Sequence, residues 1–252
     1  MSAKKETLGR TVGVVVAVCL VCSIIVSSAA VGLRSLQNAN ALLDKQTNIL
    51  EAAGLLKDAA GDITGTYENL VEEKFVELAT GHYVERAIGY DMYGKAARDP
   101  EQSIKPSPDT AGILRRANVA SVYLIKDESG SVSRIVLPVH GSGLWNLMYG
   151  MLAIDNDGNT VRELVYYDQK ETPGLGGEIQ NPKWKALWDG KKLFKNGEVA
   201  INVKKGAAKD NPYSVDALSG ATLTSNGVQN TLDYWLGENG FGPYLKKQPW
   251  KS

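Results

Sequence analysis

The sequence predicts an α+β protein: a single N-terminal transmembrane helix followed by a mixed α+β domain built on antiparallel hairpins. Three observations carry that expectation. Thr11 to Leu33 contains no charged residue. From Val122 onward, β-branched and aromatic runs alternate with Asp/Asn/Gly turns. Near the C-terminus, Val228, Leu232, Trp235 and Leu236 recur at helical spacing.

The uncharged segment would span roughly 35 Å as a helix, enough to cross the hydrocarbon core. Lys4, Lys5 and Arg10 precede it, and the positive-inside rule then leaves residues 1–10 in the cytoplasm. Everything after Leu33 is expected on the far side, the periplasm if the membrane is a bacterial inner membrane. Ser28-Ala29-Ala30 offers a competing reading as the cleavage site of a signal peptide. The length of the apolar stretch and Arg34 behind it favour a retained, single-pass anchor. A lipoprotein signal fits poorly, because Val18 and Val21 precede Cys19 and Cys22 where a small residue is expected. Both cysteines of the chain fall in this span, so the exported part has neither disulfides nor thiol chemistry.

Leu42, Leu43, Ile49, Leu50, Ala53 and Leu56 form a broken helical stripe, read as a stalk or first helix. Leu70, Val71, Lys74, Phe75 and Leu78 suggest another helix. Residues 89–112 are rich in Gly, Pro, Asp and Lys and read as an irregular connection. Val122–Lys126 and Val132–Val139 flank Asp127-Glu128-Ser129-Gly130, a hairpin signal. Tyr149–Ile154 and Val161–Tyr167 flank Asp155-Asn156-Asp157-Gly158-Asn159 in the same way. That acidic turn lacks the glycine position and closing glutamate of a calcium loop, so a hairpin turn is expected. Val199–Val203 is a further strand. The C-terminal helix is expected to start just after Thr224, with Asn226 and Gln229 as a capping box and Gly237 as C-cap. The domain division is therefore residues 1–10, a membrane helix at 11–33, a helical stalk and irregular connection at 34–120, and the main folded domain at 121–252.

The chemistry concentrates in two segments. The first is Asp216 followed by Ser219-Gly220-Ala221-Thr222-Leu223-Thr224-Ser225, reading D-x-x-S-G-A-T-x-T. Gly220 and Ala221 keep the backbone thin, and a phosphate on Thr224 would lie near a helix N-terminus, where free N–H groups favour anions. The second is Glu171-Thr172-Pro173-Gly174-Leu175-Gly176-Gly177, a sharply turned loop with exposed backbone N–H groups that could press against a planar ring. It is not G-x-G-x-x-G at a strand–helix junction, so no dinucleotide fingerprint is present. Trp145 follows the small residues Gly141-Ser142-Gly143 and could cover a ring face.

The nine-residue pattern resembles the flavinylation motif, in which the last hydroxyl residue, here Thr224, carries FMN through a phosphoester. Together with Leu42-Leu43-Asp44-Lys45-Gln46, the ETPGLG loop and the single N-terminal span, the chain resembles the C-subunit family of sodium-translocating NADH:quinone reductases. The G-subunit family of Rnf electron-transport complexes shares the threonine motif and is the near alternative. The resemblance implies an FMN-binding domain over 121–252 and an oxidoreductase component that relays electrons from NADH to ubiquinone, coupled to sodium export. It also implies covalent FMN installed by a separate transferase using FAD. The cofactor-binding residues it implies are Thr224, Asp216, Ser219, Gly220, Ala221, Thr222, Leu223, Trp145, Glu171, Thr172, Gly174, Leu175 and Gly176. Other subunits of a membrane redox complex are the implied partners, and NADH must be oxidised on one of them.

Composition narrows the classes further. The 28 basic and 28 acidic residues balance and are scattered, which argues against nucleic-acid binding. His82 and His140 are too far apart in the chain to suggest a metal site, no catalytic acid/base pair is marked, and neither histidine is assigned a role. The span itself holds no Asp or Glu, so no ion path through this chain is expected. A membrane-tethered binding module without redox chemistry is the alternative class, and flavin fluorescence of a denatured gel band would separate the two.

Overall fold

The computed structural model describes residues 8–59, 61–86, 89–208 and 210–251. Lys4 and Lys5, on which the orientation argument leans, lie outside the described residues. The chain divides into two compact units, the helix up to Lys45 and everything from Gln46 onward. The first helix, α1 (Leu8–Ala52), is long and apolar enough to cross a membrane, and its side chains from Leu8 to Leu43 are exposed. It runs on into the stripe read as a stalk or first helix, as far as Ala52. It stops short of Leu56 because Gly54 takes a left-handed φ of 72°. Leu55 N–H then bonds Leu50 C=O at 2.8 Å and Gly54 N–H bonds Glu51 C=O at 2.9 Å, the two-bond pattern of a Schellman cap. The Arg134 guanidinium also donates to Ala53 C=O.

From Gln46 onward the core is a six-stranded antiparallel sheet in the order β2 (His82–Val84), β1 (Val71–Glu77), β5 (Val119–Lys126), β6 (Val132–Ser142), β7 (Leu147–Asp155), β8 (Val161–Asp168). Before it comes α2 (Ile63–Leu70), capped by the Asp62 carboxylate accepting from Gly65 N–H at 2.8 Å. The next segment corrects the sequence reading: past Leu70, which ends α2, the expected helix is instead strand β1 (Val71–Glu77). Its spacing fits a helix as well as a strand. The choice is made by β5 (Val119–Lys126), which pairs with all seven residues of β1 and supplies Lys126 to Glu72 across the strands at 3.0 Å. The edge strand β2 is His82–Val84, and the described residues of the connection that follows hold a short α3 (Lys95–Arg98) and the pair β3 (Ser103–Ile104) and β4 (Arg116–Ala117).

Both expected hairpins form. β5 turns through 127–131 into β6 (Val132–Ser142), and β7 (Leu147–Asp155) turns through 156–160 into β8 (Val161–Asp168). β5 is buried along nearly its whole length because the sheet is covered on both faces. Tyr123, Ile125, Val136 and Val165 pack with Ile49, Ala52 and Ala53 on one side. Leu124, Ile135, Leu137 and Leu164 pack with Val228, Leu232 and Trp235 on the other.

After β8 come α4 (Pro182–Lys185) and four short strands. The strand expected at Val199–Val203 is split. Ala200 and Ile201 N–H both donate to Leu193 C=O, leaving β9 (Phe194–Lys195) paired with β10 (Glu198–Val199), and β11 (Asn202–Lys204) parallel to β12 (Ser214–Asp216). The chain closes with α5 (Thr222–Leu236) and α6 (Gly242–Lys247).

Candidate functional site

Three segments converge at one end of the sheet: the β6–β7 connection, the loop after β8, and the first turn of α5. Close packing of α5 on the end of β6 brings the first and third together. A Cβ on Gly227 would strike Ser142 C=O and lie 3.2 Å from Gly143 Cα, and a Cβ on Gly141 would strike the Thr231 hydroxyl. Gly227 lets the helix meet the strand backbone directly, and Gly141 leaves room on the strand for the Thr231 side chain. One turn further along, Trp235 donates its indole N–H to His140 C=O at 2.7 Å and fixes the rotation of the helix.

The first turn of α5 corrects two expectations. The helix begins at Thr222, at least three residues earlier than the sequence suggests, and Ala221 at its N-cap has no side chain to cap it. The capping box does not form. Gln229 is instead engaged by its side chain with Val203 N–H at 2.6 Å and Ile201 C=O at 3.3 Å. Gly237 does close the helix, through Tyr234 C=O. With the start shifted, Thr222 and Leu223 face outward and Thr224 faces inward. Thr224 is only 1% exposed.

The partner that draws Thr224 inward is Glu171. The residue is 4% exposed; one carboxylate oxygen accepts from the Thr224 hydroxyl and the other from Trp145 N–H at 3.0 Å. The carboxylate is wedged between glycines: a Cβ on Gly143 or on Gly176 would overlap it. Thr172-Pro173-Gly174-Leu175 then makes a turn with Pro at the second position and Gly174 at φ 76° in the third, closed by Leu175 N–H to Thr172 C=O at 3.1 Å. The Thr172 hydroxyl receives the Trp145 indole N–H at 3.1 Å. On the far side of the turn, Leu175 reaches to within 3.3 Å of where a Gly220 Cβ would stand.

The result is a rim of apolar side chains held open to solvent around a buried Glu171–Thr224 pair. Trp145 is 67% exposed, Leu223 60% and Leu175 46%, with Leu144 beside them. Large apolar groups pinned outward in one place mark a site for something flat and apolar. The uncapped N–H groups of a fifteen-residue helix beside Thr224 suit an anionic phosphate. The residues present thus fit a flavin mononucleotide on both counts.

Of the residues singled out in the sequence, Trp145, Glu171, Thr172, Gly174, Leu175, Gly176, Gly220, Ala221, Thr222, Leu223 and Thr224 lie in these three segments. Ser219 and Gly174 share an adjoining surface hollow with Trp184 and Leu218. Asp216 is used elsewhere: its carboxylate accepts from Gly206 N–H at 2.7 Å and Ala207 N–H at 3.3 Å, tying down the loop before β12. Ser225, which the motif reading passed over, holds the segment in place by accepting from Leu218 N–H at 3.0 Å. Its position directly behind Thr224 was the available signal.

A family model described as FMN-binding domain matches residues 143–237, which encloses all three segments. The C subunit of the Na(+)-translocating NADH-quinone reductase of Yersinia pestis is 50% identical over 248 residues, covering 96% of this chain and 93% of that protein. The Vibrio vulnificus protein of the same name is 54% identical over 251 residues, covering 97% of each. The chain belongs to the C-subunit family of Na(+)-translocating NADH-quinone reductases. The crystal structure of Shewanella oneidensis NqrC superposes with a TM-score of 0.76 at 35% identity, over 81% of this chain and 95% of that one. The C subunit of the Parabacteroides distasonis reductase follows with a TM-score of 0.68 at 28% identity, over 84% and 96%. Within this family the long N-terminal helix makes the chain a membrane-anchored subunit.

Proposed function

We propose that this chain is the electron-relaying flavoprotein subunit of a sodium-translocating NADH:quinone reductase, with FMN esterified to Thr224 and its ring against Trp145 and the Thr172–Gly176 turn. One observation carries the reading: within the segment that matches the FMN-binding domain, the acceptor hydroxyl, a buried carboxylate and an outward-facing tryptophan are tied together by direct hydrogen bonds. The flavin would supply reversible electron uptake and release. The chain's own residues supply the rest. Trp145 and Leu175 offer apolar faces, Thr172 fixes the tryptophan's orientation, and the first turn of α5 offers free N–H groups to the phosphate.

NADH oxidation falls to another subunit, since the chain has no dinucleotide fingerprint. Sodium likewise crosses through partners, the membrane segment being without carboxylates. The domain from 121 to 252 would face the periplasm on an uncleaved anchor at 11–33, and a dedicated transferase would attach the cofactor.

Thr224→Ala tests the attachment. Denatured protein from this variant should show no flavin fluorescence in a gel, while Thr222→Ala keeps at least part of it, and the tryptic peptide of the native chain should carry the FMN mass on Thr224. Covalent flavin surviving in Thr224→Ala would end the proposal. Orientation is checked by alkaline phosphatase fused after residue 252, which should be active; an inactive fusion at normal abundance would reverse it.

A further inference from the structure

We propose that Glu171 is the base that activates Thr224 for flavin attachment, so that the acceptor chain itself selects which of its hydroxyls is modified. The inference rests on Thr224 being the attachment point. Four hydroxyls crowd the segment, Ser219, Thr222, Thr224 and Ser225, and the motif singles out Thr224 by position alone. Their surroundings separate them chemically. Ser219 and Thr222 are exposed. The Ser225 oxygen is occupied by Leu218 N–H. Among the described residues, Thr224 is the one of the four whose hydroxyl donates to a carboxylate.

A threonine hydroxyl is a weak nucleophile until a positioned base takes its proton, and such a base must sit within hydrogen-bond reach of it. Glu171 meets that condition with its geometry already set. Trp145 N–H holds one carboxylate oxygen, and Gly143 and Gly176 leave no space around the carboxylate that a side chain could use. The remaining oxygen is committed to Thr224. Protein kinases assign the same task to an aspartate in the enzyme; here the group sits on the chain being modified.

In the transfer, Thr224 Oγ1 bonds to the FMN-side phosphorus of FAD as the bond from that phosphorus to the bridging oxygen breaks. AMP departs with the bonding electron pair, and the hydroxyl proton goes to Glu171 Oε2. No electron is gained or lost by any partner. Approach to Oγ1 calls for the exposed tip Thr172–Leu175 to move aside. Glu171 can stay in place meanwhile, because its second anchor is the Trp145 backbone and not the tip.

The test uses the full-length apo chain in detergent, FAD and the purified flavin transferase, with initial rates of covalent flavin formation read across acceptor concentrations. Glu171→Gln keeps size and one acceptor oxygen but cannot take the proton. It should lower kcat at least about 100-fold while the acceptor KM moves by less than about threefold. In Glu171→Ala, added formate should restore part of the rate. An unchanged kcat in Glu171→Gln, or a loss confined to KM, would overturn the assignment. If Glu171→Gln shows no cooperative melt, Glu171→Asp takes its place, since drawing the carboxylate back by one methylene breaks the contact. A kcat about tenfold down would then support the role, and an unchanged kcat would end it. The two readings fail separately. A native chain modified at another residue removes Thr224 as the site, whereas native loading at Thr224 with Glu171→Gln loading equally fast removes only the base.

Discussion

Trp235 and Trp145 stand near the same end of β6, and the protein treats them in opposite ways. Trp235 is fully buried, with His140, Phe241 and Tyr234 rings 5.0, 5.4 and 5.6 Å from its own. Trp145 has two thirds of its surface in solvent. Yet each indole N–H has a partner, His140 C=O in one case and the Thr172 hydroxyl in the other. Polar satisfaction therefore does not separate them; coverage of the ring faces does. A buried indole is held by packing and holds the fold in return. An exposed indole held by a hydrogen bond keeps an orientation without contributing a core, which is what a contact surface for a ligand requires.

The largest effect that bears on this contrast should come from Trp235→Ala. Removing a fully buried tryptophan costs about 3–5 kcal/mol, read as a fall in the denaturation midpoint by circular dichroism. A loss below about 1 kcal/mol would mean that Trp235 is not a keystone of this core.

Next in size is the pH response of the same core region. His140 packs among Tyr93, Tyr149 and Trp235, and its Nδ1 has no hydrogen-bond partner among the described residues. Burial drives its pKa down to about 4 from 6.5, opposed more weakly by the Asp109 carboxylate. The native imidazole is thus neutral where the unfolded one takes up a proton. Stability should be full above pH 6.5 and fall as pH drops towards 4, by at most about 3 kcal/mol. Urea midpoints at pH 7 and pH 5 for native protein and His140→Phe check this. Equal pH slopes in the two proteins would dismiss it.

The smallest stability change belongs to the rim. Trp145→Ala and Leu175→Ala should each stay within about 0.5 kcal/mol of the native protein, as exposed positions do. Covalent flavin should remain near native levels while its absorption bands and midpoint potential shift. A stability loss approaching that of Trp235→Ala would erase the distinction between the two regions, and unchanged spectra in both variants would remove the rim as the ring's seat.

The same contrast marks what the sequence discloses. The membrane helix, both hairpins and the Gly237 helix end are set by local patterns and were legible. So was the sharp turn at Thr172–Leu175, where Pro173 and Gly174 dictate their own dihedrals. Strand β1 was not, because Leu70 to Leu78 satisfies helical and strand spacing alike and only pairing with β5, some fifty residues on, decides between them. Asp216 belongs to the motif by position but to another loop by bonding. The burial of Thr224 was equally hidden. It depends on Glu171, distant in the chain, and on a helix that starts at an uncapped alanine where sequence rules look for a capping side chain.

The openness of the rim has a cost outside the complex. A reduced flavin seated there as proposed would rest on side chains half to two-thirds open to solvent, within reach of dioxygen, which would take electrons from it and leave as peroxide. Peroxide attacks thiolates first, and from Gln46 onward this chain has no cysteine to lose. On that reading, peroxide formed before assembly would meet no thiol in this part of the chain.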